Sequence, residues 1–315
     1  MTNLFLEGSD QMYNSVEYNL LLKNPILDDY TNIPVPSNFI TNCLGMEIAL
    51  PHVSTNPFLF SCFAISIDGK LCYPDTRTGF DIACANHHAT ENEKYADWLY
   101  LMFARTISDA VIIGSNFFKK SANRQILDIP IAELLRDRVN SAKPMTMTAI
   151  IFCRDINTLD FTHEFFMNHN TQCFIFHSTC AFSATLPKEW NQEDVSTLTN
   201  VSCKMKNLLY IDTDFKSIFS KLKQLGCNII LNESPFFHHK LLEQQMLNEI
   251  WLNYSGSYIG GDVISLGNTH ASFNSHNHPD TEILTLHHLG YNFLYSRQLV
   301  KYATEAKSVR RNNHV

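Results

Sequence analysis

The chain predicts an α/β fold: a mostly parallel sheet flanked by helices, with an antiparallel edge near its C-terminus. Three observations carry this. From Phe58 onward, short apolar runs alternate with segments of helical period, the pattern of strands joined by crossover helices. Several runs, such as Val111-Ile-Ile113 and Ile229-Ile-Leu231, are uninterrupted, which marks strands buried on both faces. The last two runs, Thr281–Leu289 and Asn292–Leu299, are separated only by Gly290-Tyr291, and a joint that short fits an antiparallel pair.

The elements follow in order. Residues 1–50 are mixed in character, and with Pro25, Pro34, Pro36 and Pro51 as breakers they read as an N-terminal extension. It either packs on the main domain or closes over a site. The main domain is expected over 51–305. Phe58–Ile65 is a strand rich in aromatic and apolar residues. Thr90-Glu-Asn-Glu93 has the capping-box pattern, a hydroxyl followed three residues later by Glu. The helix it starts puts Tyr95, Trp98, Leu99, Met102 and Phe103 on one face. Strands follow at Asp109–Ile113, Met145–Phe152, Gln172–Phe176, Asn207–Ile211, Cys227–Leu231 and Glu249–Tyr254. Helices are expected near Thr162–Met167, over Asp214–Leu225 with Gly226 as C-cap, and over Phe236–Met246. Residues 306–315 read as a polar tail.

Composition bounds the function. The chain has 315 residues, 45% of them hydrophobic and 17% charged, enough for a full core in one large domain. A net charge of −7 argues against general nucleic-acid binding, which needs a basic face. No segment approaches the roughly 20 apolar residues that span a bilayer, and no signal peptide is visible at Met1. The nine cysteines include no Cys-x-x-Cys pair, so the expectation is reduced thiols in a cytoplasmic protein.

Three turns stand out as candidate sites, because open α/β sheets bind ligands at the carboxyl ends of their strands. Asp109-Ala-Val-Ile-Ile-Gly-Ser-Asn116 ends a buried strand in small residues, so Gly114, Ser115 and Asn116 form either a cofactor turn or a plain connecting loop. Ser66 and Asp68 sit at the end of the first strand, where they contact substrate or simply make the Asp68-Gly69 turn. Gly260 and Gly261 either cradle a phosphate through backbone N–H groups or make a tight turn.

Taken in order, three segments resemble one family. Ala64-Ile-Ser-Ile-Asp-Gly-Lys-Leu71 is similar to a strand ending in Ser-Leu-Asp-Gly-Arg/Lys-Ile. Asp109–Gly114 is similar to Asp-Ala-Ile-Leu-Val-Gly. The third segment comprises Gly226–Leu231, Lys240–Ile250 and Ile259-Gly-Gly261. It resembles a strand, glycine-rich turn and helix, then a Leu-Val-Asp-Glu-Leu strand and a Leu-Gly-Gly turn. The family is the reductase (C-terminal) domain of the riboflavin-biosynthesis RibD proteins, which has the dihydrofolate-reductase-like fold. The resemblance runs from about Phe58 to about Val300. It implies a homodimer that binds NADPH and reduces a ribosylamino-pyrimidine phosphate. Hydride would go to C1′ of the ring-opened sugar imine. Ser66 and Asp68 would then bind substrate, and the 114–116, 232–234 and 260–261 turns would bind cofactor. The zinc deaminase domain of bifunctional relatives is not implied: His-x-Glu and Pro-Cys-x-x-Cys are absent, and His88-Ala-Thr-Glu91 has the wrong spacing.

Two turns depart from the family. Gly-Ala-Gly-Thr is replaced by Gly114-Ser-Asn-Phe117, and Glu-Gly-Gly-Pro by Asn232-Glu-Ser-Pro235. The lost glycines would let backbone approach a diphosphate at a helix N-terminus. Glu233 places a negative charge there, a repulsion of ~1 kcal/mol in water and several times more when partly buried, unless it caps the helix instead. If it faces the phosphates, Glu233→Gly should tighten NADPH. Ser234 can donate to an anion, and Pro235 suits a first helical turn.

The histidine groups His87-His88, His238-His239, His287-His288 and His276-Asn-His278 predict no metal site. Neighbours on a strand point to opposite faces, and those on a helix diverge by about 100°. Two alternatives to the reductase stay open. One is a diverged, non-catalytic protein binding a metabolite or a protein partner. The other is a reductase of another pterin- or pyrimidine-like substrate.

Overall fold

The computed structural model describes residues 16–32, 36–53, 55–76, 81–119, 127–167, 172–178, 190–194, 206–210, 214–267 and 272–303. The polar tail at 306–315 lies outside them, as do Cys180 and Cys203; the seven cysteines among the described residues are free thiols.

The strands are β1 (Asn19–Lys23), β2 (Thr31–Asn32), β3 (Ala49–Leu50), β4 (Phe58–Ser66), β5 (Ala110–Gly114), β6 (Thr148–Cys153), β7 (Cys173–His177), β8 (Trp190–Asp194), β9 (Lys206–Tyr210), β10 (Ile229–Asn232), β11 (Glu249–Ser255), β12 (Asp280–Leu289) and β13 (Phe293–Lys301). The helices are α1 (Asn38–Leu44), α2 (Asp81–Cys84), α3 (Glu91–Ile107), α4 (Ala132–Asn140), α5 (Glu164–Met167), α6 (Phe215–Gln224) and α7 (Pro235–Glu243). Eleven strands form one sheet in the order β1-β12-β13-β11-β4-β10-β5-β6-β7-β9-β8, and β2 pairs with β3. From β11 to β8 every neighbour is parallel. From β11 outward through β13, β12 and β1 every pairing is antiparallel.

Local chemistry explains the element ends. Thr90 and Glu93 close the capping box in both directions: the Thr90 side chain accepts from Glu93 N–H, and the Glu93 carboxylate accepts from Thr90 N–H. Asp214 caps α6 through Lys216 N–H, and Gly226 beyond it takes φ 94°, a left-handed turn that only glycine makes freely. The 17-residue α3 runs under the central strands.

Each face of the sheet has its own core. Phe60, Tyr100, Phe103, Trp251 and Tyr295 lie on the α3 side. Leu59, Phe63, Phe174, Phe219 and Phe237 lie on the other, where Phe152 stacks on Phe237 with centroids 4.0 Å apart. Burying each such side chain stabilises the fold by about 1.5–3 kcal/mol.

The N-terminal segment is structural over its described residues. Strand β1 pairs with β12 at the sheet edge, and the buried Tyr18 donates its hydroxyl to Ala96 O at 2.6 Å. No helix among the described residues is long and apolar enough to cross a membrane.

Candidate active site

The chain leaves β4 through α2 and α3 and enters β5. It winds outward through β6, β7 and β9, then returns to place β10 between β5 and β4, and β11 on β4's far side. The carboxyl ends of these parallel strands share one edge. Register places Ser66 opposite Ser255, Gly114 opposite Phe152 and Asn232 opposite both Ser61 and Ile112. A crevice where strand order reverses is where such sheets take ligands.

The residues singled out in the sequence gather along this edge, and several bond to one another. Ser66 Oγ donates to Asp68 at 2.6 Å and accepts from Lys70 N–H at 2.8 Å. Asp68 in turn accepts from Ile259 N–H at 3.1 Å and Gly260 N–H at 2.8 Å. Gly260 and Gly261 both need left-handed backbone, φ 69° and 66°. Asp68 thus holds the glycine turn against the end of β4. Burial pushes its carboxyl toward protonation, but the Ser66 hydroxyl and the Gly260 and Ile259 N–H groups outweigh this and hold it below the usual carboxylate range. A depressed carboxyl stabilises the turn at neutral pH and loses that contribution as pH falls through its folded-state pKa. Asp68→Ala is therefore expected to raise hydrogen exchange at Ile259 and Gly260 by about tenfold or more at neutral pH; unchanged exchange would show that the turn holds itself.

Asn232 is wholly buried. Its Oδ1 accepts from Ser234 N–H at 3.1 Å, and its Nδ2 donates to Ser61 Oγ at 2.9 Å and to Ser234 O at 3.1 Å. Ser61 also meets His238 Nδ1 at 2.9 Å. Burial lowers His238 to about 3, so the ring that shares this hydrogen bond with Ser61 is neutral. Ser234 caps α7 by accepting from Phe237 N–H, and its Oγ lies 3.5 Å from where a Cβ on Gly114 would sit. The 114 and 232–234 turns are therefore packed together. Ser115 is half-buried and Asn116 exposed.

Glu233 neither caps α7 nor projects as a lone charge at a phosphate position. Arg105 donates to it through Nε and Nη2, both at 2.8 Å, with side-chain exposures of 6% and 16%. Burial pulls the guanidinium down, and the Glu233 carboxylate more than restores it. The charge that sequence reading set against a phosphate is already matched by a cation.

The structure adds two residues that sequence reasoning passed over. Asp97 lies on the sheet-facing side of α3, 9% exposed, and makes no hydrogen bond or ion pair with a described residue. Burial alone raises its carboxyl to about 7. It stands near enough to Cys62, Cys84 and Tyr295 for its charge to raise each of them. In the sheet, the half-buried Ala64 of β4 pairs in register with Asn253 of β11, which itself lies opposite Tyr295. Above these, the buried Asn86 donates to Ser255 Oγ at 3.3 Å. The second residue is Arg154, exposed just beyond β6. Its guanidinium carbon lies 6.0 Å from the ring centroid of Phe236 in the first turn of α7, and Phe236 is itself exposed. A helical acid amid apolar neighbours (Tyr95-Ala-Asp-Trp-Leu99) was the readable signal for Asp97. Arg154 had only its position after a strand.

The histidines are placed by ordinary partners. His287 bonds to Leu44 O at 3.1 Å, and His278 lies 3.3 Å from Asp280. A shallow depression of about 360 Å³ lies along α6 beside Asn56. Asn56 precedes β4, so this depression sits at the amino edge of the sheet, away from these turns.

No protein-family model matches the chain, and no curated protein sequence matches it. Solved structures do. A pyrimidine reductase-like protein from Corynebacterium diphtheriae superposes with a TM-score of 0.56 at 14% identity, covering 78% of this chain and 92% of that one. A Thermotoga maritima diaminohydroxyphosphoribosylaminopyrimidine deaminase/5-amino-6-(5-phosphoribosylamino)uracil reductase gives 0.50 at 14% identity, over 83% of this chain and 59% of that one. RibD from Acinetobacter baumannii gives 0.51 at 14% identity, over 79% and 59%. The chain thus spans about three-fifths of the last two proteins. The fold expected from the sequence, a mostly parallel sheet with an antiparallel edge, is the fold of these pyrimidine reductases.

Proposed function

We propose that this protein is an NADPH-dependent reductase of a ribosylamino-pyrimidine phosphate in riboflavin biosynthesis. The observation that carries the reading is Asp97: a buried carboxyl group with no hydrogen-bond or ion-pair partner among the described residues, raised by burial to about 7 so that it exchanges a proton around neutral pH, on the helix packed against β4 and β10 of a fold shared with pyrimidine reductases.

Three features of the carboxyl edge support a phosphorylated nucleotide as ligand. Glu233 is neutralised by Arg105, and Ser115 and Asn116 are open. Arg154 supplies a positive charge between β6 and α7. NADPH, when bound, supplies hydride. The remaining work falls to the chain. Ser66 and Asp68 fix the 259–260 turn at the substrate mouth. Asp97 gives its proton to the nitrogen of the C=N bond as C1′ is reduced, so that the imine becomes an amine, and the resulting carboxylate is reprotonated from solvent.

The alternative, a diverged member without hydride chemistry, is favoured by one observation. Asn232, Ser234 and the Gly260 N–H are already committed to bonds within the protein.

Titration with NADPH and NADH tests both readings. Micromolar NADPH binding is expected, and no binding at millimolar nucleotide would overturn the reductase and leave a binding protein. Arg154→Ala is expected to weaken NADPH by roughly tenfold to a hundredfold, the loss of one charge-assisted contact, while NADH is unaffected. Equal loss for both nucleotides would show that Arg154 does not meet the 2′-phosphate.

A further inference from the structure

A second polar cluster lies on the α3 side of the sheet, at its antiparallel end. A small, partly enclosed cavity there is lined by Tyr100 of α3, Trp251 of β11, Thr285 and His287 of β12 and Arg297 of β13, and is flanked by Leu44, Met46 and Ile48 from the N-terminal segment. Each of the four polar residues has one buried atom without a hydrogen-bond partner: Tyr100 OH, Thr285 Oγ1, His287 Nδ1 and Arg297 Nη1. All four are 3% exposed or less. Leaving even one such group unpaired in a core costs about 1–3 kcal/mol, so four converging on one cavity point to an occupant.

Charge and size identify its chemistry. The other nitrogens of Arg297 are taken: Nε donates to Glu249 Oε2 at 3.1 Å, and Nη2 donates to Glu249 Oε1 at 3.0 Å and to Ala49 O at 2.8 Å. The wholly buried Glu249 cancels the guanidinium charge. His287 Nε2 donates to Leu44 O, which leaves Nδ1 as an acceptor, and burial holds the ring neutral, near 4. The cavity is therefore electrically balanced. It offers one N–H donor, one nitrogen acceptor and two hydroxyls that serve either way. It leaves about 10 Å³ for the centre of a water-sized molecule, about the space that one water needs.

We propose that this cavity is a binding site for a single ordered water, which accepts from Arg297 Nη1, donates to His287 Nδ1 and completes its shell with Thr285 and Tyr100. Residues 44–48 then flank a hydration site joining α3 to the antiparallel edge.

A high-resolution crystal structure of the full chain grown with bromide tests this. The expected result is one density peak within hydrogen-bond reach of these atoms, with no anomalous signal. An anomalous bromide peak would replace the water with an anion, and an empty cavity would overturn the site. Thr285→Val preserves shape and removes one partner. It should lower the thermal midpoint by roughly 2–4 °C, and an unchanged midpoint would overturn the four-point site. If that variant does not fold, Tyr100→Phe reads the same loss from the opposite wall.

Discussion

Asp97→Asn is expected to remove turnover and to stabilise the protein at neutral pH. Both effects come from one property. The carboxyl is held near 7 against an ordinary 3.8, with burial as the cause. The folded state therefore binds a proton that the unfolded chain releases between about pH 4 and pH 7. Where the folded state binds more protons, stability falls as pH rises. The wild-type protein should lose stability across that window and level off above it. Taken over the whole difference, the penalty at and above pH 7 is up to about 4 kcal/mol. An amide carries no such penalty, so the Asn variant should unfold at higher denaturant and show a flat profile across the window.

Activity should move the other way. A proton donor is competent only while protonated, so the wild-type rate should fall as pH rises through about 7. The variant should lose roughly 10²- to 10⁴-fold in kcat, the usual contribution of a positioned acid, with NADPH affinity preserved. A merely structural Asp97 would give a different pattern: lower stability in the variant, unchanged kcat, or an unchanged pH–rate profile.

The fold was legible where local chemistry decides it. The Thr90/Glu93 capping box, the left-handed Gly226 and the uninterrupted strand ending at Gly114 all appear where the sequence put them. Several elements were not legible, β1 and α4 among them. Strand β1 is exposed at all five positions and shows no alternation; only its pairing with β12 defines it. Helix α4 buries just Leu134 and Arg138. Arg138 is there to donate to the carbonyls of Arg105, Thr106 and Ser108 at the end of α3, a role no periodicity announces.

The site divides the same way. Sequence placed Ser66, Asp68, Gly114 and Gly260 at strand ends, because a strand's end is a local property. It left open what Asp68 would bind, because the partners lie 191 and 192 residues away. Asp97 went unread because one acid in an apolar helix acquires meaning only from its burial, which depends on β4, β11 and β13 together.

Glu233→Gln should be among the most destabilising single changes in this protein, although the sequence alone predicts relief of a repulsion at that position. The carboxylate is bonded twice by Arg105, whose side chain is 6% exposed. Removing the negative charge leaves a guanidinium that cannot deprotonate, buried on α3 with no bonded counter-ion among the described residues and only the weaker field of Asp128 to offset it. Breaking one partner of such a pair costs about 3–5 kcal/mol. Urea denaturation should show this as a large fall in midpoint with an unchanged slope. Removing both charges tests the cause: Arg105→Met combined with Glu233→Met should recover most of the loss, because the buried cation goes with its partner. Equal destabilisation in the single and double variants would locate the cost in packing, and an unaffected Glu233→Gln would mean that the pair opens to solvent. The expected result has a direct bearing on the crevice. Both charges of the pair are spent on each other, so the turn at 232–234 presents no net charge.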